Sequence, residues 1–98
     1  GSAYLHILYY RYLRKIKNPQ SRLYCTIAAY NTGAGNIAYA FTKHYNISKA
    51  ASIINSMTPN EVYETLLRDL RWDEPKKYLK TVHARMIAYK KVYGNKIN

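Results

Sequence analysis

Three observations predict an all-α fold. Apolar side chains recur every three to four residues along most of the chain, helix-start signals precede several of those runs, and nowhere does period-two alternation persist between turn residues. The 98 residues suffice for one domain, or a piece of one, with a modest core. Neither an internal repeat nor a low-complexity segment interrupts the pattern.

Tyr4, Leu5, Leu8, Tyr9, Tyr12, Leu13 and Ile16 recur in pairs every four residues and predict a first helix over about Ala3–Ile16. Asn18 is placed to cap the next helix and Pro19 to take its first position. That helix is expected to run to Tyr30, with Leu23, Ile27 and Tyr30 along one side. A short third helix is expected over Asn36–Phe41, and a fourth from Ser48 carrying Ala51, Ile54 and Met57. Thr58 followed three residues later by Glu61 is a capping box. With Pro59 at the first helical position, it predicts a helix to about Leu70. Asp73, Glu74 and Pro75 open a long last helix through Tyr78, Leu79, Val82, Met86, Tyr89 and Tyr93, which Gly94 is expected to end.

Sixteen Lys and Arg against five Asp and Glu give a formal charge of +11. Such a field favours anionic partners in general, a nucleic acid, an anionic polymer or a membrane surface, without choosing among them. A hydrophobic content of 48% is too high for a disordered tail, and no apolar run approaches the ~18 residues of a membrane span. Cys25 is the only cysteine, which excludes an internal disulfide and a CxxC site, and its apolar surroundings predict burial. His6, His44 and His83 are scattered, with no carboxylate at ligand spacing, so neither a metal nor a cofactor is expected.

The sharpest local feature is "AAYNTGAGN", residues 28–36, where two of the chain's four glycines follow an apolar helical run. A helix end with Gly33 or Gly35 in a left-handed conformation accounts for part of it. A simple stop needs neither two glycines nor the Tyr-Asn pair before them. Small residues let a ligand approach the backbone, while Tyr30 and Asn31 offer an aromatic face, a hydroxyl and an amide. Such equipment suits a sugar.

This stretch resembles the Ala-Tyr-Asn-x-Gly-x-Gly segment of the lytic transglycosylases with the goose-type-lysozyme-like SLT domain, closest to the membrane-bound lytic murein transglycosylase C group. "GSAYLHIL" resembles that family's Gly-x-x-Tyr-Leu helix. "AASIINSMTPNEVYETL" is similar to its helix pair after the Tyr-Asn turn, and "EPKKYLKTV" to the element opening its last helix. The four pieces stand in the right order within a run from Gly1 to about Lys91, which spans about nine-tenths of the chain. The resemblance implies that residues 1–98 are the C-terminal part of a lysozyme-like helical domain. It also implies peptidoglycan as partner, cleaved without hydrolysis at the β-1,4 bond between N-acetylmuramic acid and N-acetylglucosamine to leave a 1,6-anhydro end. The location implied is the bacterial periplasm or cell envelope.

Residue by residue, the resemblance makes Tyr30 the tyrosine whose hydroxyl supports the general acid. Asn31, Gly33 and Tyr78 become substrate-binding positions, and Tyr63 a weaker one. The family's catalytic glutamate belongs to a Glu-Ser element upstream of a Gly-Leu-Met-Gln segment, and neither is present here. All five acids fall between Glu61 and Glu74, and Pro75 and Lys76 replace the family's usual Thr or Ser and Arg. Lysine cannot make the planar bidentate contact that arginine does. The chain is therefore expected to be inactive alone, to have the missing N-terminal part of the domain as a partner, and to owe any membrane anchor to upstream sequence.

Two readings from other classes stand beside this one. A basic helical nucleic-acid module would use the tyrosines for stacking and the cations for phosphates, although no helix-turn-helix pattern is evident and the tyrosines follow core periodicity. A purely structural helical bundle would leave the Tyr-Asn-Thr-Gly turn as punctuation. With the family resemblance, nucleic acid is not expected as a partner.

Overall fold

Side-chain caps fix where most of the helices begin. Asn18 Oδ1 accepts from the N–H groups of Gln20 and Ser21 at 2.9 and 3.1 Å, Asn46 Oδ1 from that of Lys49 at 3.1 Å, and Thr58 and Glu61 close their capping box at 2.8 and 3.1 Å. Each satisfies donors that a helix start leaves without intrahelical partners. The computed structural model of the protein describes residues 2–70 and 73–97. It contains α1 (Ser2–Ile7), a π-helical turn (Leu8–Tyr12), α2 (Pro19–Thr32), α3 (Ala34–Thr42), α4 (Ile47–Asn55), α5 (Pro59–Asp69) and α6 (Asp73–Ile97). The chain is all-α, with no strand among the described residues, as a lysozyme-like helical domain requires.

The expected first helix does not run through to Ile16. At Leu8 the ladder widens, and the Leu13 N–H donates to the Leu8 carbonyl five residues back at 2.9 Å. In a regular α-helix, Leu8 and Leu13 would point about 140° apart. The extra residue in the turn brings both into the core, and Ile16 follows them. Beyond Tyr12 the backbone is held by other helices: Arg22 donates from Nε to the Ile16 carbonyl and from Nη2 to that of Arg14, at 2.8 and 3.2 Å. Asn55 bonds the Lys15 carbonyl and the Lys17 N–H, both at 2.8 Å. Helical hydrogen bonds are not needed where these side chains supply the partners.

Gly94 does not end the last helix either. α6 passes through it to Ile97, because an interior glycine costs only about 1 kcal/mol relative to alanine and no proline follows to enforce a break. The side chains of Tyr89 and Tyr93, assigned to the apolar stripe of α6, lie outside the described residues.

α2 is the central helix, packed against α1, the π turn, α3, α5 and α6. Tyr24, Cys25, Ala28 and Ala29 on its inner side are fully buried among Leu8, Leu13, Ile37, Ile54, Val62, Leu66 and Leu79. Burial pushes the Cys25 thiol up to about 12. The Tyr24 hydroxyl is polar and buried, and it is not orphaned: Gln20 Nε2 donates to it at 3.0 Å and His83 Nδ1 lies 3.0 Å away. Lys90 Nζ donates to the other end of the same glutamine, so a polar chain ties α6 to α2. The Leu23, Ile27 and Tyr30 side faces outward instead, toward open concavities.

Candidate glycan-binding site

The site is built where α2 ends. Gly33 adopts φ 92° and ψ 146°, a conformation that costs a side chain-bearing residue dearly. Its N–H donates to the Ala29 carbonyl at 2.7 Å and its own carbonyl receives the Asn36 N–H at 3.2 Å, so one residue closes α2 and opens α3. Asn36 Nδ2 donates to the Thr32 carbonyl, fastening the turn from its other side. Tyr30 and Asn31 are thereby held on the last turn of α2 and both are exposed. Asn31 spends one amide proton on the Ile27 carbonyl at 3.2 Å.

Tyr78 comes from the first turns of α6, forty-eight residues after Tyr30. With Tyr30, Asn31, Leu5, Ile27 and Val82 it lines one concavity of about 280 Å³. Tyr78 is 52% exposed and Tyr30 40%, and Tyr4 leans on Tyr30 with ring centroids 5.9 Å apart. Asn31 also borders a second recess, shared with Thr32, Glu74 and Pro75. The arrangement offers an apolar floor, two tyrosine rings and an amide at the rim, the usual make-up of a ligand site with few, fixed polar groups.

Tyr63 is not brought there. It is 7% exposed and packs inside the molecule, stacked on His83 at 3.9 Å and 11° and against Tyr24 at 5.4 Å. Burial, then the nearby Glu64 and Tyr24, raise its pKa above the ordinary tyrosine value. Gly33 contributes backbone geometry, with nothing but Asn36 Nδ2 within 4 Å of where a Cβ would stand.

Among the described residues, no carboxylate lines the Tyr30–Tyr78 concavity. Glu61 is committed to its capping box and Asp69 to Arg68, 3.1 Å away. Glu74 reaches only the adjoining recess. Among the described residues, no three His, Cys, Asp or Glu side chains come together to hold a metal ion, and no helix is long and apolar enough to cross a membrane.

Two further concavities lie outside the Tyr30–Tyr78 site. The larger one is an apolar groove of about 800 Å³ beside the site, lined by Leu5, Tyr9, Tyr10, Leu23, Ile27 and Met86 among others. Tyr9 and Tyr10, both in the π turn, form part of its wall. The other is a polar recess of about 310 Å³ bounded by Asn36, Tyr39, Lys43, Tyr45 and Asp69. Its one trace in the sequence is Gly35: a Cβ there would stand 3.3 Å from Tyr45 Cδ1.

No family model matches the chain. Against curated proteins it is 40% identical over 91 residues to "Membrane-bound lytic murein transglycosylase C" of Pectobacterium atrosepticum, covering 93% of this chain and 25% of that protein. The protein of the same name from Photorhabdus laumondii is 44% identical over 89 residues, covering 91% of this chain and 24% of its own length. The chain thus spans about a quarter of the length of these relatives. Across nine-tenths of its own residues, this chain is similar to the C-group membrane-bound lytic murein transglycosylases.

Proposed function

We propose that the chain is the glycan-binding, C-terminal portion of a lytic transglycosylase domain that acts on peptidoglycan in the cell envelope. The observation carrying this reading is the convergence of Tyr30, Asn31 and Tyr78, from two distant helices, on one concavity. In it the tyrosine rings give a sugar ring its apolar faces to rest on. The Asn31 carbonyl oxygen and the tyrosine hydroxyls hold the sugar's own hydroxyls. Leu5, Ile27 and Val82 give the concavity an apolar lining, and a carboxyl covered there together with the sugar would have its pKa raised toward the range a general acid needs.

The reaction would require such a carboxyl from upstream sequence, with the Tyr30 hydroxyl hydrogen-bonded to it. It would protonate the leaving oxygen and then, as a base, assist the muramoyl 6-hydroxyl in attacking the anomeric carbon. The nucleophile comes from the substrate, so a second carboxylate is unnecessary. The apolar groove along α1, the π turn and α2 is where that upstream part would lie, and any membrane anchor would come with it.

Two measurements test this reading. A peptide-free chitin oligosaccharide titrated into the chain should shift the amide resonances of Tyr30, Asn31 and Tyr78 saturably, and raising salt should barely weaken it, because neutral-sugar contacts release few counterions. Incubation with purified peptidoglycan should release no anhydromuropeptides. Oligonucleotide binding with a steep salt dependence at the same residues would replace the reading by a nucleic-acid one, and release of anhydro products by the chain alone would overturn the need for an upstream acid.

A further inference from the structure

Beyond the Gly33 turn in the chain, α3, the segment after it and the end of α5 build the polar recess. Tyr39 and Tyr45 stack with ring centroids 5.1 Å apart and 30° between planes. The Lys43 ammonium stands 5.7 Å from the Tyr39 centroid. Asp69 lies across the recess with Asn36 and Leu70. It carries a fork from Arg68 at 3.1 and 3.3 Å, which leaves it lone pairs for a further donor. A cation, an anion and an aromatic wall thus bound one space.

Two details indicate that this recess is kept for its side chains. Lys43 is the one non-glycine residue with positive φ among those described, at φ 64° and ψ 17°. It sits at the C-terminal cap of α3, where glycine is the favoured residue and lysine is held in a conformation that L residues avoid. Tyr45 is 70% exposed, yet its ring lies over Gly35, the position where any side chain would press on Cδ1 at 3.3 Å. The second glycine of the Tyr-Asn turn, which a helix stop does not require, seats this ring.

We propose that the recess binds a zwitterionic peptide group, with a carboxylate on Lys43, an ammonium on Asp69 and the aliphatic part between them on Tyr39 and Tyr45. Resting on the peptidoglycan reading above, this makes the stem peptide of the same polymer the ligand, since it bears free carboxylates and a free ammonium on a diamino acid. Asn36 bonds the Thr32 carbonyl, and Thr32 borders the recess that Asn31 shares. A glycan at Tyr30 and Tyr78 would therefore have its peptide within reach of the second site.

The test uses the free tripeptide L-Ala–γ-D-Glu–diaminopimelate, the same peptide N-acetylated and amidated at its carboxylates, and a peptide-free chitin oligosaccharide. The free tripeptide should shift Tyr39, Lys43, Tyr45 and Asp69 saturably and the blocked one should not. Lys43→Gly should weaken tripeptide binding by about tenfold or more, as expected for a lost charge-assisted contact, while its melting temperature stays equal or rises because the positive φ is relieved. Tyr45→Ala should weaken tripeptide binding too and leave the chitin oligosaccharide unaffected. Equal binding of free and blocked peptides, or unchanged affinity in Lys43→Gly, would overturn the proposal. If the tripeptide binds as described and the chitin oligosaccharide does not, the second site stands and the glycan reading falls.

Discussion

Tyr63 and Tyr78 show how far one residue type diverges with its surroundings. Tyr63 sits in the core against Tyr24 and His83, and truncating it to alanine should cost roughly 3–5 kcal/mol, the range for large aromatic core residues. Tyr78 is half exposed, so Tyr78→Ala should change stability by no more than about 0.5 kcal/mol while weakening chitin-oligosaccharide binding. Denaturant melts and the titration, made on both variants, check this contrast. Cys25 gives a pH signature. Its thiol is buried neutral, and burial pushes its pKa from an ordinary 9.0 up to about 12; the folded value is the higher, so this contribution is intact below pH 9 and lost as pH climbs from 9 toward 12. Wild type should lose up to about 1.4 kcal/mol more stability per pH unit in that window than Cys25→Ala does. Parallel curves for the two proteins would show that the thiol does not ionise on unfolding.

Helix starts were legible because they rest on local chemistry that a few residues encode. Asn18 with Pro19, and Thr58 with Glu61, announce α2 and α5 to the residue. Removing the box with Thr58→Ala should cost about 1 kcal/mol, or about 4–8 °C in melting temperature, as scanning calorimetry would read it. What remained hidden depended on partners distant in sequence. The first helix breaks because Arg22 and Asn55 take over the carbonyls of residues 14–16, and nothing within Ala3–Ile16 encodes those partners. Likewise the outward turn of Leu23 and Ile27 follows from Tyr24, Cys25, Ala28 and Ala29 filling the inner side of α2, a choice between two apolar faces that periodicity leaves open. Tyr30, Asn31 and Tyr78 could be named from motif resemblance, whereas Tyr39, Lys43 and Tyr45 carried no motif and emerged from the fold.

At the scale of the molecule, sixteen basic residues face five acids, and Arg68–Asp69 is the one ion pair among the described residues. The apolar side chains left outside are concentrated near the N-terminus: Tyr4, Leu5, Ile7, Tyr10 and Tyr12 are all exposed, next to Tyr30 and the long groove. Each hundred Å² of such surface left in water forgoes on the order of 2–3 kcal/mol of burial. The isolated chain should therefore self-associate as its concentration and the salt rise together, salt damping the repulsion that otherwise keeps copies apart. Sedimentation velocity checks this, and a monomer at every concentration and ionic strength would argue against that face being made for contact.

The π turn also sets how the chain tolerates changes in length. An α-helical side chain advances about 100° per residue, so deleting one residue between Leu8 and Tyr12 would let the ladder close as a regular α-helix and swing everything before it by a comparable angle. Leu5 would leave the floor it shares with Tyr30 and Tyr78, and Tyr4 would leave its contact with Tyr30. Substitutions at exposed Tyr10 or Arg11 leave that phase intact. Descendants of this sequence are thus free to vary the letters of the turn and are held to its number of residues.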